Sequence, residues 1–90
     1  MKNIKIGNYT LTIKRIAGVS RFEIEKELTK INFITLRVKN YRGGEIERIE
    51  MQTIGTILET TKDIEEYQKQ LQEAIEVKEK IEEIVREELA

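Results

Sequence analysis

Arg15, Ser20 and Arg21 bracket a glycine in the run Arg15-Ile16-Ala17-Gly18-Val19-Ser20-Arg21, and Tyr41 and Arg42 precede the pair Gly43-Gly44. If Ser20 opens a helix, first-turn N–H groups, the serine hydroxyl and two guanidinium forks converge on one spot, an arrangement that holds phosphate and other small anions. A Tyr beside an Arg at a glycine-rich hairpin tip can stack on a base while clamping a phosphate. The expected ligand at Arg15, Ser20, Arg21, Tyr41 and Arg42 is therefore small, anionic and nucleotide-like. Both groups also have a plainer reading: Ser20 caps its own helix, the arginines are solvated, and Tyr41 to Gly44 is simply a turn.

Catalysis finds little support in the residue types. The chain has no His and no Cys, which removes the imidazole base, the thiolate nucleophile and the usual transition-metal ligands together. A carboxylate pair, a lysine or an activated Ser20 would have to do the work. The glutamates Glu65, Glu66, Glu73, Glu76, Glu79, Glu82 and Glu83 fall mostly on the solvated side of a helix, several with a lysine one turn away. The reading is a non-enzyme with no metal and no cofactor.

The 90 residues carry 16 basic and 17 acidic side chains, a net charge of −1. That sum hides a split. Met1 to Arg48 holds 11 Lys and Arg against 5 Glu, a net of +6, whereas Ile49 to Ala90 holds 5 against 12, a net of −7. Either an anionic partner meets the N-terminal part, or basic strands pack on an acidic helix. Duplex nucleic acid is the weaker candidate, because the acidic helix would repel phosphates. The N-terminus lacks the apolar run of a signal peptide, and no stretch approaches the roughly 18 apolar residues of a membrane span, so a cytoplasmic protein with no membrane partner is expected.

The elements that must position these groups follow from periodicity. Ile4 and Ile6, then Tyr9, Leu11 and Ile13, alternate around Gly7-Asn8, which predicts a β-hairpin. Ser20 with Glu23 forms a capping-box pattern leading into a short helix, about 21–28. A third strand competes there, since Phe22, Ile24 and Lys26 alternate with charges. Ile34, Leu36 and Val38 mark a strand within 30–40, with a phase slip between Phe33 and Ile34 that a bulge or burial on both faces would explain. Ile49, Met51 and Thr53 mark a returning strand within 45–58, broken or bulged at Gly55.

From Asp63 to Ala90 there is no Gly or Pro, and Asp63 with Glu66 suggests a capped start. Ile64, Tyr67, Leu71, Ala74, Ile75, Ile81, Val85 and Leu89 recur at helical spacing, with Val77 and Ile84 to one flank. About 27 residues at about 1.5 Å each reach roughly 40 Å, more than one small domain spans. The proximal half, through Ile75, is expected to complete the chain's own core. The distal half, with Ile81, Ile84, Val85 and Leu89, is expected to meet another copy.

The sum is one α+β domain over 1–90. A small antiparallel sheet, built from the N-terminal hairpin and a second hairpin, occupies 1–61 with the short helix near 21–28, and the long amphipathic helix occupies 62–90. In size, in its Lys, Ile and Glu bias and in its N-terminal hairpin, the chain resembles small accessory proteins of bacteriophages of low-GC hosts. That likeness implies an oligomeric binder or inhibitor that captures a host protein or sequesters a small anionic signal such as a cyclic nucleotide.

Overall fold

A computed structural model of the chain describes residues 1–29, 31–40, 47–54 and 58–89. The architecture is α+β, with five strands followed by one helix: β1 (Lys2–Ile6), β2 (Tyr9–Ile16), β3 (Val19–Lys26), β4 (Ile34–Asn40), β5 (Glu47–Thr53) and α1 (Thr61–Leu89). The strands make two antiparallel sheets, β1-β2-β3 and β4-β5, where one four-stranded sheet was expected.

The hairpin at Gly7-Asn8 forms as its alternation requires, with Ile4 opposite Leu11 and Ile6 opposite Tyr9. Gly7 takes φ 58°, as the first position of a tight II′-type turn demands. Its second partner corrects the sequence reading: residues 21–28 hold no helix, and Val19–Lys26 is a strand paired with β2 along its whole length, Ile13 opposite Phe22 and Leu11 opposite Ile24. Eight residues of isolated helix are too few to persist. Pairing with β2 satisfies the same backbone groups and puts Phe22 beside Ile13 in the core, so the alternation outweighs the Ser20–Glu23 capping signature.

The phase slip reflects burial on both faces rather than a bulge: Phe33 and Ile34 are both buried, at the point where β4 starts. Phe33 precedes β4 and is buried by its edge-to-face contact with Tyr67, centroids 6.0 Å apart, while its N–H bonds to Gln70. From Ile34 the alternation runs cleanly, with Leu36 opposite Met51 and Val38 opposite Ile49. Gly55 lies outside the described residues.

The helix begins at Thr61, two residues before Asp63, and is capped differently. Thr60 Oγ1 accepts from the Asp63 N–H at 3.1 Å, and Asp63 Oδ2 accepts from the Thr60 N–H at 3.2 Å. The capping box is therefore Thr60 with Asp63, not Asp63 with Glu66.

One core lies between the helix and the inner faces of both sheets. Tyr9, Leu11, Ile13 and Phe22 enter from the first sheet, Ile34, Leu36 and Ile49 from the second, and Ala74, Val77, Ile81 and Val85 from the helix. Ala74, fully buried, lets the helix backbone approach closely. This overturns the expected division of the helix: Ile81 is 0% exposed and Val85 5%, so both belong to the chain's own core, and Ile84 packs at its margin. Of the four residues expected at a neighbour, Leu89 alone is an exposed large hydrophobic. The longest extent of the molecule is 48 Å, close to the roughly 44 Å of a 29-residue helix. Strands of eight residues reach only about 26 Å, so the helix outruns them: its buried residues run from Gln70 to Val85, and no residue of its first two turns is fully buried.

Candidate functional site

The two ends of the β2–β3 hairpin differ sharply in what they expose. At its tip, Ile16 pairs with Val19 across Ala17-Gly18. Both turn residues have positive φ, 50° for Ala17 and 79° for Gly18, the I′ geometry that matches the strand twist. Gly18 adopts it freely, but Ala17 does so against its Cβ, at a cost of about 1 kcal/mol. The side chains so held are apolar and open to solvent: Ile16 is 56% exposed and Val19 51%.

Strand alternation sorts the basic residues around this tip. Arg21 sits opposite Lys14, on the outward face with Ile16 and Val19, whereas Arg15 sits opposite Ser20 in the phase of Ile13 and Phe22. Lys14 is tied to Glu23 at 3.2 Å. Arg15 and Arg21 are exposed and make no ion pair among the described residues. The expected anion cradle is thus not built here. No helix N-terminus follows Ser20, and the two guanidinium groups leave the hairpin on opposite faces. Tyr41 and Arg42 lie outside the described residues.

At the other end a polar cluster closes inward, around a side chain that sequence reasoning passed over. Gln70, 7% exposed, accepts through Oε1 from the Phe33 N–H at 2.8 Å and from Lys26 Nζ at 3.2 Å. Its Nε2 donates to the Ile31 carbonyl at 2.8 Å and to Glu66 Oε1 at 3.2 Å. One glutamine thereby satisfies the backbone that links the two sheets, where neither sheet supplies a partner. The signal was visible as a polar residue in register with Ala74, Val77 and Ile81.

Lys26 adds a second tie by donating to the Ile34 carbonyl at 2.8 Å, and its ammonium lies 5.8 Å from the centre of the Tyr9 ring. Burial lowers the Lys26 pKa, opposed by the negative charges of Glu73 and Glu66. Tyr9 donates to the same carbonyl at 3.4 Å. Burial, reinforced by Glu73, pushes its hydroxyl up to about 12. Glu73 receives Asn8 Nδ2 on one oxygen at 3.3 Å, while its other oxygen is buried with no hydrogen-bond partner among the described residues. A lysine, a tyrosine and a carboxylate thus meet, but the amine and the hydroxyl are both spent on one backbone carbonyl. The arrangement locks structure.

Among the described residues, no group of three or more Asp or Glu side chains is placed to hold a metal ion, and no helix is long and apolar enough to cross a membrane. No protein-family profile, curated protein or solved structure matches this chain.

Proposed function

We propose that this protein is a non-enzymatic, cytoplasmic protein-binding module that engages its partner through the β2–β3 tip. The observation that carries this reading is the exposed Ile16–Val19 pair, held across a turn in which Ala17 accepts a left-handed backbone. Folding gains little from two half-exposed branched side chains on a strained turn, whereas a partner's apolar recess would gain from both. Arg15 and Arg21 flank the pair on either face and suit carboxylates at the rim of such a recess, where charge steers encounter and sets register. The partner chemistry is therefore an apolar pocket on a protein with an acidic border. Occupying such a pocket is how a small phage-type inhibitor would block a host protein. A nucleotide-like ligand is less well supported, since Arg15 and Arg21 leave the hairpin on opposite faces and Lys14, opposite Arg21, is paired with Glu23.

The test is affinity capture from host lysate with wild type and with Ile16→Ser/Val19→Ser, alongside mass spectrometry of the denatured wild-type protein. One stoichiometric protein, retained by wild type and lost by the double variant, is expected. Equal retention by both would move the contact elsewhere, and a copurified small anion without a protein would restore the ligand reading.

A further inference from the structure

The helix carries a second apolar row beside the one buried in the core. Ile64, Leu71, Ile75 and Leu89 lie about a quarter turn round from Gln70, Ala74, Val77, Ile81 and Val85 at 3.6 residues per turn. Leu71 is partly covered by the core margin, but Ile64 is 44% exposed, Ile75 36% and Leu89 48%. Lys78 and Glu82 continue the row and are joined to each other at 3.3 Å.

The order of this row is symmetric. Ile64, Leu71, Ile75, Lys78, Glu82 and Leu89 are separated by seven, four, three, four and seven residues, the same from either end. We infer that this flank is a self-association surface and that its occupant is the same flank of a second copy, running antiparallel about a two-fold axis near the middle of the helix. In that register Ile64 faces Leu89 of the partner, Ile75 faces Lys78 of the partner and Leu71 faces Glu82 of the partner. Because Lys78 and Glu82 pair along their own helix, their aliphatic stems can lie over the facing Ile75 and Leu71 while the charged ends stay wet. Steps of three and four suit the shallow crossing of paired helices.

Charge selects the direction. Side by side in parallel, Lys78, Glu79, Glu82 and Arg86 would each face their own copy, and like charges in register destabilise. Antiparallel, none of these four opposes itself, and Arg86 comes level with Tyr67 of the partner. The glutamates Glu65, Glu76, Glu83 and Glu87, all exposed, lie on the side of the helix that faces away from the sheets, outside the contact. An isologous two-fold contact of this kind closes on itself.

The chain has no cysteine, which allows a clean test. Positions 64 and 89 are about 38 Å apart along one helix, so Ile64→Cys/Leu89→Cys cannot close a disulfide within a chain. Light scattering on wild type at micromolar concentration should give twice 10.6 kDa. Under mild oxidation the double cysteine variant should run as a covalent dimer on a non-reducing gel, whereas Ile64→Cys alone should remain mostly monomeric. Ile75→Lys, which sets a like charge against Lys78 of the partner, should halve the mass measured by scattering with the helical circular dichroism retained, and Ile75→Gln should weaken dimerisation at least tenfold if the lysine variant fails to fold. A wild-type mass of 10.6 kDa up to hundreds of micromolar overturns the inference. Crosslinking of Ile64→Cys alone as completely as the double variant overturns the antiparallel register.

Discussion

The β2–β3 hairpin is bound at one end and open at the other. Around Lys26 its polar groups turn inward: Gln70, Tyr9 and the Ile34 carbonyl form a cluster whose hydrogen bonds join strand, linker and helix. Around Ala17 the same strands end in exposed Ile16 and Val19, with Arg15 and Arg21 paired to nothing among the described residues. The first end explains why the chain folds this way, and its central groups are committed to holding strand, linker and helix together. The second adds little to the fold and offers a shaped, apolar, positively flanked surface. Function is better sought where side chains have not been used to hold the structure together.

The largest effect that tests this contrast is the loss of Gln70. Gln70→Leu keeps the helix and the apolar character of the position but leaves the Phe33 N–H, the Ile31 carbonyl and the Lys26 ammonium short of partners. Each orphaned group costs about 1 to 3 kcal/mol, although water can reach some of them, so a loss of about 3 kcal/mol is expected in urea denaturation. Ile16→Ser/Val19→Ser should shift stability by no more than about 0.5 kcal/mol. Comparable losses from the two would mean that the tip is also part of the fold's support.

A somewhat smaller effect separates the two ends by pH. The Tyr9 hydroxyl is raised to about 12 from an ordinary 10.0, so the folded state holds its proton more tightly than the unfolded state. Its contribution is complete below pH 10 and is lost as pH rises from 10 to 12, about 2 to 3 kcal/mol for a shift of this size. Lys26 has the opposite sign: a lowered pKa means that its charged form opposes folding, so stability climbs with pH until the ordinary value of 10.5 is passed. Denaturation curves from pH 9 to 12 should show the fall above pH 10 in wild type and its loss in Tyr9→Phe. A phenolate absorbance titration should show one tyrosine ionising about two units late. An unchanged fall in Tyr9→Phe would assign the alkaline sensitivity to another group.

Most of the fold was legible because apolar periodicity reports burial directly. The α+β class, the Gly7-Asn8 hairpin, β4, β5 and the long helix all follow from spacings of two or of three and four. Residues 21–28 were misread because two local signals disagreed: Ser20 and Glu23 spell a helix start, while Phe22, Ile24 and Lys26 spell a strand. The arbiter was non-local, since the row Tyr9, Leu11, Ile13 needed a neighbour on the side away from β1. The phase of the helix was obscured for a similar reason. Two apolar rows run along it, and the one facing the sheets is marked by small Ala74 and polar Gln70 rather than by the larger Ile64, Ile75 and Leu89. The candidate site was harder still, because a hairpin tip rich in small and branched apolar residues carries no motif. What identifies it is exposure, which depends on where the helix lies.

The finest test concerns the turn itself. Ala17 sits at φ 50° in the first position of a turn where Asn, Asp or Gly is favoured, so Ala17→Gly relieves backbone strain of about 1 kcal/mol while increasing the entropy of the unfolded chain by somewhat less. A net gain of about 0.5 kcal/mol is expected, measured as a rise in the urea midpoint without a change in slope. Ala17 is exposed, so little packing is lost with its methyl, and nothing lies within 4 Å of where a side chain on the neighbouring Gly18 would begin. The stabilised variant separates two reasons for an alanine at this position. If partner capture falls while stability rises, the Ala17 methyl or the stiffness it imposes belongs to the contact surface. If capture is unchanged, the recognition resides in Ile16, Val19 and their flanking arginines, and the turn serves only to hold them in register.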